Sequence, residues 1–238
     1  MEYLEQRKEL ASVMARLCRA GLTTSTGGNA SLRVEGGCLI TPSGLDKLSL
    51  SPSDIIEIPD LPDSGEGREG SKGNGGPAGD AGWSSGGDGG SPAPSMETGM
   101  HQAVYRARPD IGAVIHAHPL FATAYSATGE EIRFDLTGET RVLLERVSRT
   151  EFEMMGSPEL ADAVASAFLG AETVILGNHG AAAAGRDLHT AFSRIEALEI
   201  AARISFITHL LGRRKTLTSE QLRMIDLLFG GDGPSLSG

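Results

Sequence analysis

IGAVIHAHP, residues 111–119, is the stretch on which the fold reading turns. It is an apolar run that ends in His-x-His and is closed by Pro119, which has no N–H for a sheet ladder. Its length and its β-branched residues predict a buried strand over 111–118. Side chains two apart on a strand leave the same face, so His116 and His118 are presented together. Residues 111–129 carry no Asp, Glu, Lys or Arg. Histidines, Pro119 and several Ser and Thr interrupt them, so they do not read as a membrane span.

Upstream, Pro94-Ser95-Met96-Glu97 opens a helix through about Arg106, with Ser95 as its N-cap. Downstream, Ser157-Pro158-Glu159 starts a helix to about Phe168: Ser at N-cap, Pro at N1 and an acid in the first turn. Thr173–Leu176 is a second apolar strand, followed by Gly177-Asn178-His179-Gly180. Asp187 caps a long helix to about Leu211 that Gly212 stops. Thr218-Ser219-Glu220-Gln221 resembles a capping box for a last helix with Leu222, Ile225, Leu228 and Phe229 on one face. At the other end, residues 2–20 form an amphipathic helix ended by Gly21, and 22–62 hold short strands around Leu39–Ile40 and Ile55–Ile58. Helices alternating with short strands point to a mixed sheet covered by helices.

The chain has 238 residues, 32 glycines, a formal charge of −10 and a hydrophobic fraction of 39%. Twelve of those glycines fall in residues 63–95, a segment with almost no aliphatic side chains. Such a segment cannot offset its ordering entropy by burial. The sequence therefore reads as one domain over 1–230, interrupted by a low-complexity insertion at 63–93 and followed by a flexible tail at 231–238. The acidic balance argues against nucleic acid, which needs a basic face. Two cysteines make no disulfide framework, and Glu2, Glu5 and Glu9 break any signal-peptide pattern; a cytoplasmic protein is expected.

His-x-His alone fits packed histidines as well as metal ligands. His179 adds a third imidazole after another apolar strand. Three imidazoles and an open coordination position suit a catalytic divalent ion, most simply zinc. Glu97 reads either as an acid complementing a helix dipole or as a general acid/base beside the metal. His101, four residues on, shares its helix face and reads as a packing or supporting residue. Two turns, Thr26-Gly27-Gly28-Asn29-Ala30-Ser31 and Thr41-Pro42-Ser43-Gly44, fit ordinary turn chemistry or a phosphate cradle. Neither has an obvious basic neighbour, so a phosphate would be held by neutral donors and the helix end at Ser95.

Four segments together resemble the class II aldolase/adducin-head family: GLTTSTGGNASLR (21–33), ITPSGLDKLSLSPSDIIEI (40–58), PSMETGMHQAVYRARPDIGAVIHAHPLFATA (94–124) and VILGNHGAAAAGRDLHTAF (174–192). Their order carries the resemblance, with Glu about 20 residues before His-x-His and Asn-His-Gly later. The resemblance implies a three-layer α/β/α sandwich around a mixed, largely antiparallel sheet. It also implies a homotetramer with interfacial active sites. By resemblance, His116, His118 and His179 hold zinc or another divalent cation, and Glu97 is the catalytic acid/base. Thr26, Gly28, Asn29, Ser43, Gly44 and Ser95 contact the substrate phosphate. Met96 stands where fuculose-phosphate-aldolase-like members carry a second Ser. No tyrosine lies beyond Tyr125, although those members use tyrosines for the aldehyde half.

The implied activity is C–C bond cleavage or formation in a small ketose phosphate through a metal-stabilised enediolate. The same site suits epimerisation, decarboxylation of a 3-oxo acid phosphate, or dehydration. Epimerases of the family usually carry Asp in place of Glu97, which favours the aldolase. A non-catalytic binding module, as in adducin heads, is the remaining alternative.

Overall fold

The computed structural model describes residues 1–60, 92–144 and 146–229. The predicted insertion, except its last two residues, and the predicted tail lie outside the described residues. Seven strands form one sheet: β1 (Asn29–Val34), β2 (Gly37–Ile40), β3 (Ile56–Pro59), β4 (Ala113–Ala117), β5 (Val147–Thr150), β6 (Thr173–Leu176) and β7 (Gly180–Gly185). Their order is β3-β2-β1-β4-β7-β6-β5. Among the described residues, only the β5–β6 pair is parallel. The sheet is therefore mixed and largely antiparallel, as expected.

Helices cover both faces. On one lie α1 (Leu4–Arg19), α3 (Leu120–Ser126), α4 (Gly138–Leu144) and α6 (Leu188–Leu210); on the other lie α2 (Thr98–Ala107) and α5 (Pro158–Phe168). A last helix, α7 (Ser219–Phe229), packs on α4. Strands β2, β4, β6 and β7 divide their side chains between two cores. In β4, Ala113, Ile115 and Ala117 face the α6 side, and Val114 faces α2 and α5. Period-2 alternation puts His116 on the α2 face with Val114.

Several local expectations hold in atomic detail. Gly21 takes φ 69°, and its N–H and that of Leu22 donate to Cys18 and Leu17. This is the paired C-terminal closure that a left-handed glycine permits. Ser157 accepts from the Leu160 N–H at 3.1 Å, and Asp187 accepts from the Thr190 N–H at 2.7 Å. Thr218 and Gln221 exchange side-chain and backbone bonds at 2.9 and 3.2 Å, a reciprocal cap on α7.

Others are corrected. Ser95 is not an N-cap: α2 begins at Thr98, and Glu97 occupies the capping position without a side-chain capping bond. Ser95 instead closes a turn, accepting from the Thr98 N–H at 3.0 Å on its carbonyl and from the Glu97 N–H at 3.3 Å on its hydroxyl. His118 lies one residue past β4, where its N–H donates to the Leu22 carbonyl at 3.1 Å. Residues 120–126 form α3, whose first N–H groups, of Phe121 and Ala122, donate to buried Glu199 of α6 at 2.9 and 3.1 Å. Pro119 lacks a side-chain acceptor, so a carboxylate from another helix serves as its cap.

The alanine run of β7 was not anticipated, because alanine favours helix. Here packing overrides propensity. Ala181 through Ala184 are buried between the helix layers, and a Cβ on Gly180 would stand 2.5 Å from the Ala117 carbonyl oxygen. Small side chains let the central strands sit close to both layers. Ala182, paired with His116 and Val174, faces α2 and α5. Ala182→Leu is expected to overpack this face and cost about 1–3 kcal/mol. Urea unfolding measures it, and an unchanged midpoint and slope would contradict the tight packing of β7.

Candidate metal centre and cleft

The site forms where four elements end together. Antiparallel register sets Asn29, the first residue of β1, opposite His116 near the end of β4. His118 follows just past that strand. The β6–β7 turn supplies His179 after Asn178, whose φ of 51° is the left-handed conformation that asparagine tolerates. Glu97 arrives at the start of α2, from the helix layer above the same face.

The three imidazoles converge. One ring nitrogen from each lies within 4.8 Å of the others. His116 Nε2 and His118 Nε2 are 3.1 Å apart. Four-coordinate zinc with Zn–N of about 2.0–2.1 Å sets its ligand atoms ~3.3 Å apart, so this spacing fits such an ion. His116 Nδ1 donates to the Ala181 carbonyl at 3.1 Å. That bond assigns its proton to Nδ1 and leaves the Nε2 lone pair toward the cluster.

Burial pushes the pKa of His116 well below the usual histidine value, reinforced by His118 and His179. Burial lowers His118 and His179 too, opposed in both by the Glu97 carboxylate. Neutral imidazoles are the form a cation binds. Facing nitrogen lone pairs repel each other unless a proton or a cation lies between them. Glu97 Oε1 and His179 Nδ1 are buried without a hydrogen bond. The donor set and these orphaned atoms fit a divalent ion.

Glu97 stands beside this cluster. Its Oε2 is 3.3 Å from His116 Nε2 and its Oε1 is 3.4 Å from His179 Nε2. Asn29 Nδ2 donates to Oε2 at 2.8 Å. Behind it runs a buried polar strip on the α2 face. His101 Nε2 meets Asn29 Oδ1 at 2.5 Å, His101 Nδ1 meets the Ser31 hydroxyl at 2.6 Å, and Ser31 meets the Tyr105 hydroxyl at 2.8 Å. Since Asn29 Oδ1 only accepts, His101 carries its proton on Nε2 and takes one from Ser31 on Nδ1. Burial holds the His101 pKa down to about 3, so this tautomer persists. His101 is thus a supporting residue, as its helix position suggested.

A cleft of about 150 Å³ opens beside the cluster. Thr26, Gly28, Asn29, Ser43, Ser95, Glu97, His118 and His179 line it. His116 sits fully buried behind them. Gly44 lies on the Ser43 turn with φ 71° but outside the lining. The side chain of Asn29 points both its amide groups at Glu97 and His101. Gly28 must be glycine: at φ 65°, a Cβ would stand 2.8 Å from the His116 carbonyl oxygen. Met96, which stands where related members carry a second Ser, also lines the cleft, and sequence reasoning missed Lys47 and Met155, which line it too. Lys47 is brought in when its N–H donates to the Ser25 carbonyl at 2.7 Å, tying one turn to the other. Its only sequence signal is a lone lysine three residues beyond Gly44.

The profile of the Class II Aldolase and Adducin N-terminal domain family matches residues 8–206. A 5-deoxy-D-ribulose 1-phosphate aldolase of Bacillus thuringiensis serovar kurstaki is 29% identical over 234 residues, 96% of this chain and 97% of its own. An L-fuculose phosphate aldolase of Methanocaldococcus jannaschii is 28% identical over 205 residues, 86% of this chain and 98% of its own. A solved L-fuculose 1-phosphate aldolase superposes with a TM-score of 0.76 at 28% identity, covering 97% of this chain and 98% of that one.

Histidines held neutral by burial take up protons only on unfolding. The metal-free protein should therefore be most stable above pH 6.5 and lose stability as the pH falls below it. The slope is up to about 1.4 kcal/mol per pH unit for each such histidine. Urea unfolding of metal-free protein at pH 7.5 and 5.5 checks this. Equal stabilities at the two values would contradict buried neutral imidazoles.

Proposed function

The chain belongs to the class II aldolase and adducin N-terminal domain family, and from that premise we propose that it is a zinc-dependent aldolase acting on a small ketose phosphate. The observation that carries this is the convergence of three histidine nitrogens within 4.8 Å, with Glu97 against them at 3.3 and 3.4 Å. His116, His118 and His179 would hold the ion. A divalent cation in this position supplies Lewis acidity toward a substrate carbonyl oxygen.

The chain's own residues supply the rest. Glu97 moves the proton at the carbon next to the carbonyl. Its Oε1 is the atom for this, since Oε2 is engaged by Asn29. Asn29 orients the carboxylate, and His101, through its Nε2–H, keeps the Asn29 amide from flipping. The walls of the cleft exclude bulk water from a carboxylate that is 5% exposed, which strengthens the electrostatic interactions within it. Thr26, Gly28, Ser43 and Ser95 offer hydroxyl and backbone donors to a phosphate, with Gly44 shaping the turn.

Met96 and Met155 at the cleft, with exposed Phe152 and Met154 nearby in sequence, suit an aldehyde partner with an apolar end. This agrees with the 5-deoxy sugar phosphate in the name of the Bacillus relative. No helix among the described residues is long and apolar enough to cross a membrane. Leu210 and Leu211 at the end of α6, and Leu227, Leu228 and Phe229 on α7, are exposed. They support self-association into the homotetramer implied by the resemblance. The same reading takes 1–230 as one cytoplasmic domain in which the segment 63–93 is an insertion.

Glu97→Gln is expected to keep stoichiometric metal and lower kcat by about 10²–10⁴-fold. Chelation should abolish turnover, and zinc should restore it. Product analysis on a panel of ketose phosphates decides the reaction. A triose phosphate plus an aldehyde supports the aldolase. An isomer, carbon dioxide or full activity after chelation would contradict it.

A further inference from the structure

Lys47 is 1% exposed, yet it forms part of the cleft wall. Its Nζ donates to the Pro42 carbonyl. No carboxylate pairs with it among the described residues. One carbonyl satisfies one of three ammonium donors and none of the charge. Burying an ammonium without a counter-charge is strongly unfavourable, and a protein that keeps one either neutralises it or supplies an anion. The residues around it are anion donors. Thr26 and Ser43 bring hydroxyls, Gly28 brings backbone, and Ser95 adds a third hydroxyl; the Ser43 N–H is already used, donating to the Ala93 carbonyl at 2.9 Å. Glu97, the acidic member of the lining, is already engaged by Asn29. Sequence reasoning left a neutral cradle here; the fold adds one positive charge to it.

We propose that Lys47 supplies the cationic contact of an anion subsite in this cleft, and that the anion is the phosphate group of a phosphorylated substrate. The subsite rests on the aldolase reading for the identity of the substrate but not for the binding of phosphate. Lys47 thereby sets specificity: a phosphorylated substrate is recognised and its unphosphorylated counterpart is not.

The test compares the wild type with Lys47→Met, Lys47→Gln and Lys47→Arg. The probe is inorganic phosphate, titrated calorimetrically at constant ionic strength into metal-loaded and metal-free protein. Loss of the charge is expected to weaken phosphate binding by about 10–100-fold in both forms, as for a charge-assisted contact. Lys47→Arg should retain most of the binding. Without phosphate, the methionine variant should unfold at the same temperature as the wild type or higher, because an uncompensated buried charge has been removed. With a ketose phosphate, KM should rise by a similar factor while kcat stays within about threefold, the mark of lost ground-state binding.

Phosphate binding within twofold of wild type in the neutral variants would overturn the proposal, as would failure of both to fold. A kcat that collapses with unchanged phosphate binding would also overturn it, since the amine would then act on the reacting carbon. If no sugar phosphate is turned over, the aldolase reading fails alone, and the phosphate titration still decides the role of Lys47.

Discussion

Everything at the site depends on the antiparallel register that sets Asn29 against His116 and His116 against Ala182. A slip of one residue would turn His116 from the α2 face into the α6 core. Asn29 would lose its place beside Glu97 in the same step. The register is guarded by close contacts that admit no larger residue. Gly28 abuts the His116 carbonyl, and Gly180 abuts the Ala117 carbonyl. Both would clash with a Cβ, so the strands cannot shift without opening the centre of the sheet.

The same arrangement concentrates titratable groups where water is scarce. Three histidines, a glutamate and a lysine lie in or behind one cleft. Burial drives the imidazoles toward neutrality and lowers the Lys47 pKa to about 8. These costs are not offset within the described residues alone. Glu97 Oε1 and His179 Nδ1 make no hydrogen bond there, and Lys47 has no carboxylate partner. A cation on the imidazoles and a phosphate near Lys47 would each compensate a group that burial penalises. The proposed function would thus account for polar residues that folding alone would exchange for apolar ones.

The sequence made the strand and its histidines legible because periodicity, Pro119 and the His-x-His spacing agree. Helix ends were equally legible where a single residue determines the geometry, as Gly21, Ser157 and Asp187 do. Tertiary packing overrode local signals elsewhere. Ser95 has a capping residue's chemistry, but the chain turns once more before α2, which releases Glu97 toward the histidines. The alanines of β7 have helical propensity and are held as a strand by the layers on either side. Residues 129–153 contain α4 and β5, the latter fixed by pairing with β6 rather than by its own sequence. Lys47 was invisible for another reason. Its approach to the cleft depends on a backbone bond to Ser25, 22 positions earlier, which no local pattern reports.

The convergence of three imidazoles on one cation is the claim from which the chemistry follows. X-ray absorption spectroscopy on protein loaded with one equivalent of zinc tests it most directly, because it reads the ligand shell independently of turnover. One tightly held ion is expected, its scattering showing three imidazoles at about 2.0–2.1 Å, falling to two in His179→Ala. A shell without imidazole, or one unaltered by His179→Ala, would contradict it.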